Sequence, residues 1–192
     1  MSDLRERADD EQVYQPAEDS DLLARAVAER LDGDERLLDV GTGSGYVAAT
    51  VADETGCDAV GVDLSPLAVR AARERGVPVV RGDLLAPFRD GAFDVVAFNP
   101  PYLPTDPDAE WDDWMEHALS GGADGRRLVD PFLDDVRRVL APGGRVFLLV
   151  SSLTDIEAVR ERARANGLRG DVVAEASFPF ERLVVLDLRP RD

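Results

Sequence analysis

Apolar positions along this 192-residue chain fall into short runs and helical stripes that alternate from end to end. Leu22, Leu23, Ala26, Val27 and Leu31 recur at helical spacing, with Pro16, Glu18 and Asp19 suited to a first turn and Gly33 as terminator. Leu37-Leu38-Asp39-Val40 reads as a buried strand, then Gly41-Thr42-Gly43-Ser44-Gly45 and a helix from about Tyr46 to Glu54. Ala59 to Val62 is a second strand ending at Asp63, and Ser65-Pro66 is an N-cap with proline at the first helical position, opening a helix to about Arg75. Val77-Pro78-Val79-Val80 is the third strand, with Gly82-Asp83 at its end, and Phe93 to Phe98 is the fourth. The stripe Leu128, Val129, Phe132, Leu133, Val136, Val139, Leu140 predicts a helix stopped by Ala141-Pro142-Gly143-Gly144. Arg145 to Val150 is strand five, and a helix follows from Asp155 to Asn166, ending at Gly167. Val172 to Ala176 and Leu183 to Leu188 have hairpin spacing around Pro179, so one of them runs antiparallel. The whole predicts a Rossmann-like α/β fold: a seven-stranded, mostly parallel sheet with one antiparallel strand and helices on both faces. Residues 13–192 read as one domain, with 13–33 a cap segment and helix, and 1–12 as a flexible polar tail.

Two stretches carry chemistry. Asn99-Pro100-Pro101-Tyr102 follows strand four, where ligands bind in open α/β sheets. Proline locks its own φ and pushes the preceding residue towards extended geometry, so the carbonyls of Asn99 and Pro100 point in fixed directions. The Asn99 side chain adds an acceptor oxygen and Tyr102 a flat face for stacking, a set suited to holding a planar –NH2 group by both hydrogens. A plain turn is the bland alternative, since Asn-Pro is a common turn opener. The second stretch is the glycine loop, with Asp63 20 residues beyond Gly43 and placed for a ribose. A nicotinamide cofactor goes with G-x-G-x-x-G, but here Tyr46 stands where the third glycine belongs. The shorter G-x-G-x-G loop suits S-adenosylmethionine, which has no pyrophosphate. Asp39 is then expected to face the methionine amino group, Asp63 the ribose and Asp83 the adenine amino group; each alone also reads as a solvated loop acid or a helix cap, but three at successive strand ends point to one site.

Composition narrows the substrate. The chain has 39 acidic residues against 22 basic ones, all arginine, for a net charge of −17. Such a surface repels a phosphate backbone, which argues against unaided nucleic-acid binding, and it suits a high-salt cytoplasm where dense carboxylates stay screened. Cys57 is the single cysteine and reads as a small buried hydrophobe; His117 is the single histidine, so no metal-ligand set is expected. Met1 to Glu11 lacks an apolar core and no stretch approaches the length of a membrane span, so a soluble cytoplasmic protein is expected. Leu103 to Arg127 exceeds the usual βα connection of roughly 2–6 residues, making it a candidate lid or binding loop. Within it Trp111, Trp114 and Met115 predict a short helix packed on the core, with His117 facing solvent nearby.

The sequence resembles the class I S-adenosylmethionine-dependent methyltransferases, and within them the HemK/PrmC-like glutamine methyltransferases of the short archaeal and eukaryotic branch. The resemblance rests on Val13-Tyr14-Gln15-Pro16-Ala17-Glu18-Asp19-Ser20 with Leu22-Leu23, on Asp39 to Gly45, and on Asn99 to Tyr102 with Gly121-Gly122-Ala123-Asp124-Gly125-Arg126 after it. It implies that Ser20, Asp39, Gly41, Gly43, Asp63, Asp83, Leu84 and Asn99 contact the cofactor. Asn99, Pro100, Pro101 and Tyr102 would hold the glutamine of the Gly-Gly-Gln loop of a class-1 release factor. It further implies a small zinc-binding activator protein, adding a strand along residues 77–81 and touching the helix from Pro66. The same quartet also serves methylation of adenine or guanine amino groups; protein lysine is a further alternative, and a non-catalytic binding module is another.

Overall fold

The computed structural model describes residues 18–103 and 120–191. Seven strands form one sheet in the order β3-β2-β1-β4-β5-β7-β6. In chain order the elements are α1 (Glu18–Ala28), β1 (Arg36–Val40), α2 (Tyr46–Thr55), β2 (Asp58–Asp63), α3 (Pro66–Glu74), β3 (Val79–Arg81) and β4 (Phe93–Phe98). Then come α4 (Val129–Val139), β5 (Leu140–Ser151), a single 3-10 turn (Ser152–Thr154), α5 (Ile156–Ala165), β6 (Leu168–Phe178) and β7 (Glu181–Pro190). β7 runs antiparallel to both β5 and β6, and the remaining pairs are parallel.

The central strands read as unbroken apolar runs because both faces are covered. Val96 and Phe98 of β4 point into a core with Phe132, Leu133 and Val136 of α4, while Val95 and Ala97 meet Leu23 and Val27 of α1 and Val51 of α2 on the other side. Helix α4 carries no side-chain cap at Leu128. Its hold is therefore its buried face, where each fully buried Val, Leu or Phe is worth roughly 1.5–3 kcal/mol. Helix α3 uses the opposite device: Ser65 Oγ accepts from the N–H groups of Leu67 and Ala68, with Pro66 at the first position. Cys57 is buried in the α1–α2 core. No helix among the described residues is long and apolar enough to cross a membrane.

Four predicted strands differ in extent. The third strand begins at Val79 rather than Val77: Val77 is buried against Ala48 and Ala72, and the Pro78 carbonyl accepts the Gly61 N–H at 2.8 Å. The Ala141–Gly144 stop is absorbed into β5, whose pairing with β4 jumps from Phe93↔Leu140 to Val95↔Arg145 across an irregularity. The last two strands extend well beyond their apolar centres, leaving Pro179 and Phe180 as the turn. The expected tail 1–12, the Val13–Ala17 part of the cap segment, and Trp111, Trp114, Met115 and His117 lie outside the described residues.

Candidate active site

The C-terminal ends of β3, β2, β1 and β4 lie side by side along one edge of the sheet, and chain order reverses between β1 and β4. A cavity of about 490 Å³ opens there. It is lined by Ser20, Asp39, Gly41, Gly43, Asp63, Asp83, Leu84 and all of Asn99, Pro100, Pro101 and Tyr102, so every residue expected at the site comes together. A volume of this order suits a small organic cofactor with part of its substrate.

The glycine loop wraps the carboxylates. Gly41, Gly43 and Gly45 all have positive φ, at 60°, 55° and 78°, so three left-handed residues turn the chain from β1 into α2. Asp39 is fully buried, and its Oδ2 accepts from Thr42 Oγ1 at 2.6 Å and from the Ala48 N–H at 3.3 Å. Burial outweighs those two bonds and, with the charge of Asp63 adding to it, pushes the Asp39 pKa up to about 7. A cation beside it would restore the charged form. Asp63 accepts from the Gly43 N–H at 2.9 Å through Oδ2 and from the Ser65 N–H at 2.9 Å through Oδ1. Burial again raises its pKa against these bonds. Asp83 stands exposed at the rim, and Leu84 beside it has a φ of 44°, an uncommon conformation for a side chain of that size.

At the other end, Asn99 Nδ2 donates to Asp19 Oδ2 at 3.2 Å and to Ser20 Oγ at 3.4 Å, while Asn99 Oδ1 is buried with no hydrogen-bond partner among the described residues. Asn99 lines the cavity, and a buried acceptor left unpaired there calls for a donor from a ligand. The Tyr102 hydroxyl bonds to Asp19; burial first, then the charges of Asp19 and Glu181, hold its pKa far above the usual tyrosine range. Behind the quartet, Gly125 (φ 74°) lies so close that a Cβ there would sit 2.7 Å from the Tyr102 carbonyl oxygen and 2.4 Å from Thr154. The Gly121 N–H bonds to the Leu103 carbonyl at 2.8 Å. The Gly-Gly-Ala-Asp-Gly-Arg stretch therefore braces Asn-Pro-Pro-Tyr from below.

Asp19 and Thr42 escaped the sequence reading of the site. Asp19 looked like a first-turn helix acid, and its only signal was adjacency to Ser20. Thr42 sat between glycines that drew the attention.

This fold and this site define a class I methyltransferase, with S-adenosyl-L-methionine as cofactor. The residues present fit it: a carboxylate at each of three strand ends, an open loop and an orphaned acceptor beyond. A methyltransferase-domain model matches residues 38–100. A protein of Methanocaldococcus jannaschii named as a protein N5-glutamine methyltransferase is 35% identical over 182 residues, 92% of this chain and 91% of that one. The mouse methyltransferase HEMK2 is 35% identical over 91% of this chain and 88% of its own. Among solved structures, the E. cuniculi Mtq2-Trm112 complex, described as methylating the eRF1 translation termination factor, superposes with a TM-score of 0.77 at 27% identity, over 94% of this chain and 99% of that chain. The chain belongs to the protein N5-glutamine methyltransferase family, the HemK-type enzymes.

Proposed function

We propose that this enzyme methylates the side-chain amide nitrogen of the glutamine in the Gly-Gly-Gln loop of a class-1 release factor, as a heterodimer with a small zinc-binding activator. The observation that carries the reading is the buried, unpartnered Oδ1 of Asn99 at the cavity end of Asn-Pro-Pro-Tyr. The relatives support the substrate: the M. jannaschii protein bears a glutamine-methyltransferase name, and the E. cuniculi complex is described as methylating a termination factor.

When bound, S-adenosyl-L-methionine would supply an electrophilic sulfonium methyl: the new N–C bond would form as the C–S bond broke with its electrons kept on sulfur, and the nitrogen would give up one of its two protons to solvent. The chain's part is orientation. Asn99 Oδ1 and the Pro100 carbonyl accept the two amide hydrogens, which turns the nitrogen towards the methyl group. Tyr102 fixes the amide plane by stacking, and the ring of Pro101 holds the turn rigid. Asp39 takes the methionine amino group, Asp63 the ribose hydroxyls and Asp83 with Leu84 the adenine; Ser20, Gly41 and Gly43 close round the rest. An amide nitrogen is a weak nucleophile, so alignment supplies most of the rate.

The activator reading draws on β3, a sheet edge of three residues whose Val80 is 38% exposed. An exposed apolar edge pairs readily with a strand of another chain, and the solved complex is itself a two-protein assembly. Residues 13–192 act as one catalytic domain in a cytoplasm of high salt. Incubation with labelled cofactor and the host's release factor, then mass mapping, tests the substrate: label on the Gly-Gly-Gln glutamine is expected. Label confined to nucleic acid or to lysine would overturn the reading.

A further inference from the structure

We propose that Asp19 is a positioning residue of the acceptor site, selecting the one orientation of the Asn99 amide that leaves its oxygen, rather than its –NH2, unpaired for the substrate. The inference rests on the glutamine reading above and adds to it a residue from a different part of the chain, 80 positions upstream of Asn99.

Asp19 lies in the first turn of α1 but does not behave as a helix-terminal acid. Glu18 is exposed and Asp21 pairs with Arg25 at 2.8 Å at the surface, whereas Asp19 is only 4% exposed. Its Oδ1 accepts the Ser20 N–H at 2.6 Å, which pins the carboxylate on its own backbone. Its Oδ2 accepts from Asn99 Nδ2 at 3.2 Å, and the Tyr102 hydroxyl donates to the same carboxylate. One buried group thus holds both functional side chains of Asn-Pro-Pro-Tyr, from outside that motif.

A primary amide has two ends of nearly the same shape, one accepting and one donating, and only its surroundings choose between them. An ionised carboxylate is acceptor-only. With Asn99 turned over, Oδ1 would face the Asp19 oxygen, two acceptors in contact, and the cavity would receive an –NH2. With Nδ2 on Asp19, the cavity receives a bare acceptor. That orientation takes an acceptor group bearing N–H hydrogens and rejects one that offers only lone pairs. Ser20 Oγ, 3.4 Å from the same Nδ2, cannot make the choice, because a hydroxyl serves either end of an amide. An amide at position 19 must keep its oxygen on the Ser20 N–H, so its –NH2 end faces Asn99 and turns that amide over, keeping the shape and reversing the selection.

The test uses the full chain with its activator, the release factor as substrate, and Asp19→Asn. Asp19→Asn is expected to lower kcat by about 10²-fold, the scale of a misplaced reacting group, with the cofactor dissociation constant within about threefold of wild type and the unfolding midpoint little changed. A kcat within about twofold of wild type overturns the proposal, as does a loss of cofactor affinity that matches the loss of rate. A second measurement needs neither variant nor substrate. In isotope-labelled wild-type protein the Asn99 side-chain –NH2 should give cross-relaxation peaks to the Ser20 β-protons, and their absence overturns the proposal even if Asp19→Asn fails to fold. Failure of the wild-type enzyme to methylate the release factor, with those peaks present, would instead remove the substrate reading and leave the orienting contact standing.

Discussion

On the proposed reading Asn99 and Asp39 do different jobs at opposite ends of one cavity, and their variants should separate cleanly. Asn99→Ala removes the acceptor for the reacting amide and should reduce turnover below detection while calorimetry finds cofactor affinity within a few-fold; near wild-type turnover would exclude the mechanism. Asp39 predicts a pH dependence. Its pKa of about 7 lies above the ordinary 3.8 because burial disfavours the charge. On the proposed reading the methionine ammonium pairs only with the carboxylate, so cofactor binding should weaken as pH falls through 7, by about tenfold per unit well below it. The sign for folding is the reverse. A raised pKa makes the Asp39 contribution to the free protein fully present below pH 4 and lost as pH rises through 7. Cofactor should therefore lift the unfolding midpoint more at pH 8 than at pH 6, and equal shifts would show that Asp39 does not face the ammonium. Asp39 and Asp63 were legible in sequence because acids at the ends of apolar runs stand out. Asp19 was not: only folding reveals that one of three acids in a helix turn points inward.

At the scale of elements, the loop 120–127 and strand β3 make the clearest demands. Gly125→Ala forces a Cβ within 2.7 Å of the Tyr102 carbonyl at a φ of 74°, so the quartet must shift. Steady-state kinetics should then show turnover reduced by about 10²-fold, with cofactor binding near normal, since the nearest atoms a Cβ would meet belong to Thr154 and Tyr102 rather than to the residues assigned to the cofactor. For the activator interface, Val80 rather than Val79 is the outward residue, as Val79 packs partly on Ala48 and Ala72. Val80→Glu should abolish co-elution with the activator on size exclusion while leaving the isolated chain's unfolding midpoint close to wild type. Persistent co-elution would place the interface elsewhere. Element type was readable from periodicity, whereas the start of β3 was not. Val77 and Val79 look alike in sequence, but Val77 is drawn off into the contact between α2 and α3, and ladder pairing begins two residues later.

For the whole molecule, charge dominates. Arginines pair locally with some carboxylates, as Arg36 does with Asp94 at 2.9 Å and Arg138 with Asp135 at 2.7 Å, yet a surplus of 17 negative charges remains. Exposed carboxylates repel over distances that salt shortens, from roughly 10 Å at 0.1 M to roughly 3 Å at 1 M. The unfolding midpoint should rise from low to molar salt, and a flat profile by scanning calorimetry would exclude a high-salt habitat as the reason for the composition. By itself the sequence determined what depends on neighbours along the chain: alternating strands and helices, the glycine turn, the Ser65 cap, the rigidity of Asn-Pro-Pro-Tyr and the net charge. Tertiary structure decided what depends on residues far apart in sequence meeting in space. It set Asp19 against Asn99 and Tyr102, put Gly125 beneath Tyr102, absorbed the Ala141–Gly144 stretch into β5, and left Asn99 Oδ1 open. The division has a physical cause: backbone dihedrals and periodicity are local properties, whereas the direction of a buried polar side chain is chosen by the partner that folding brings to it.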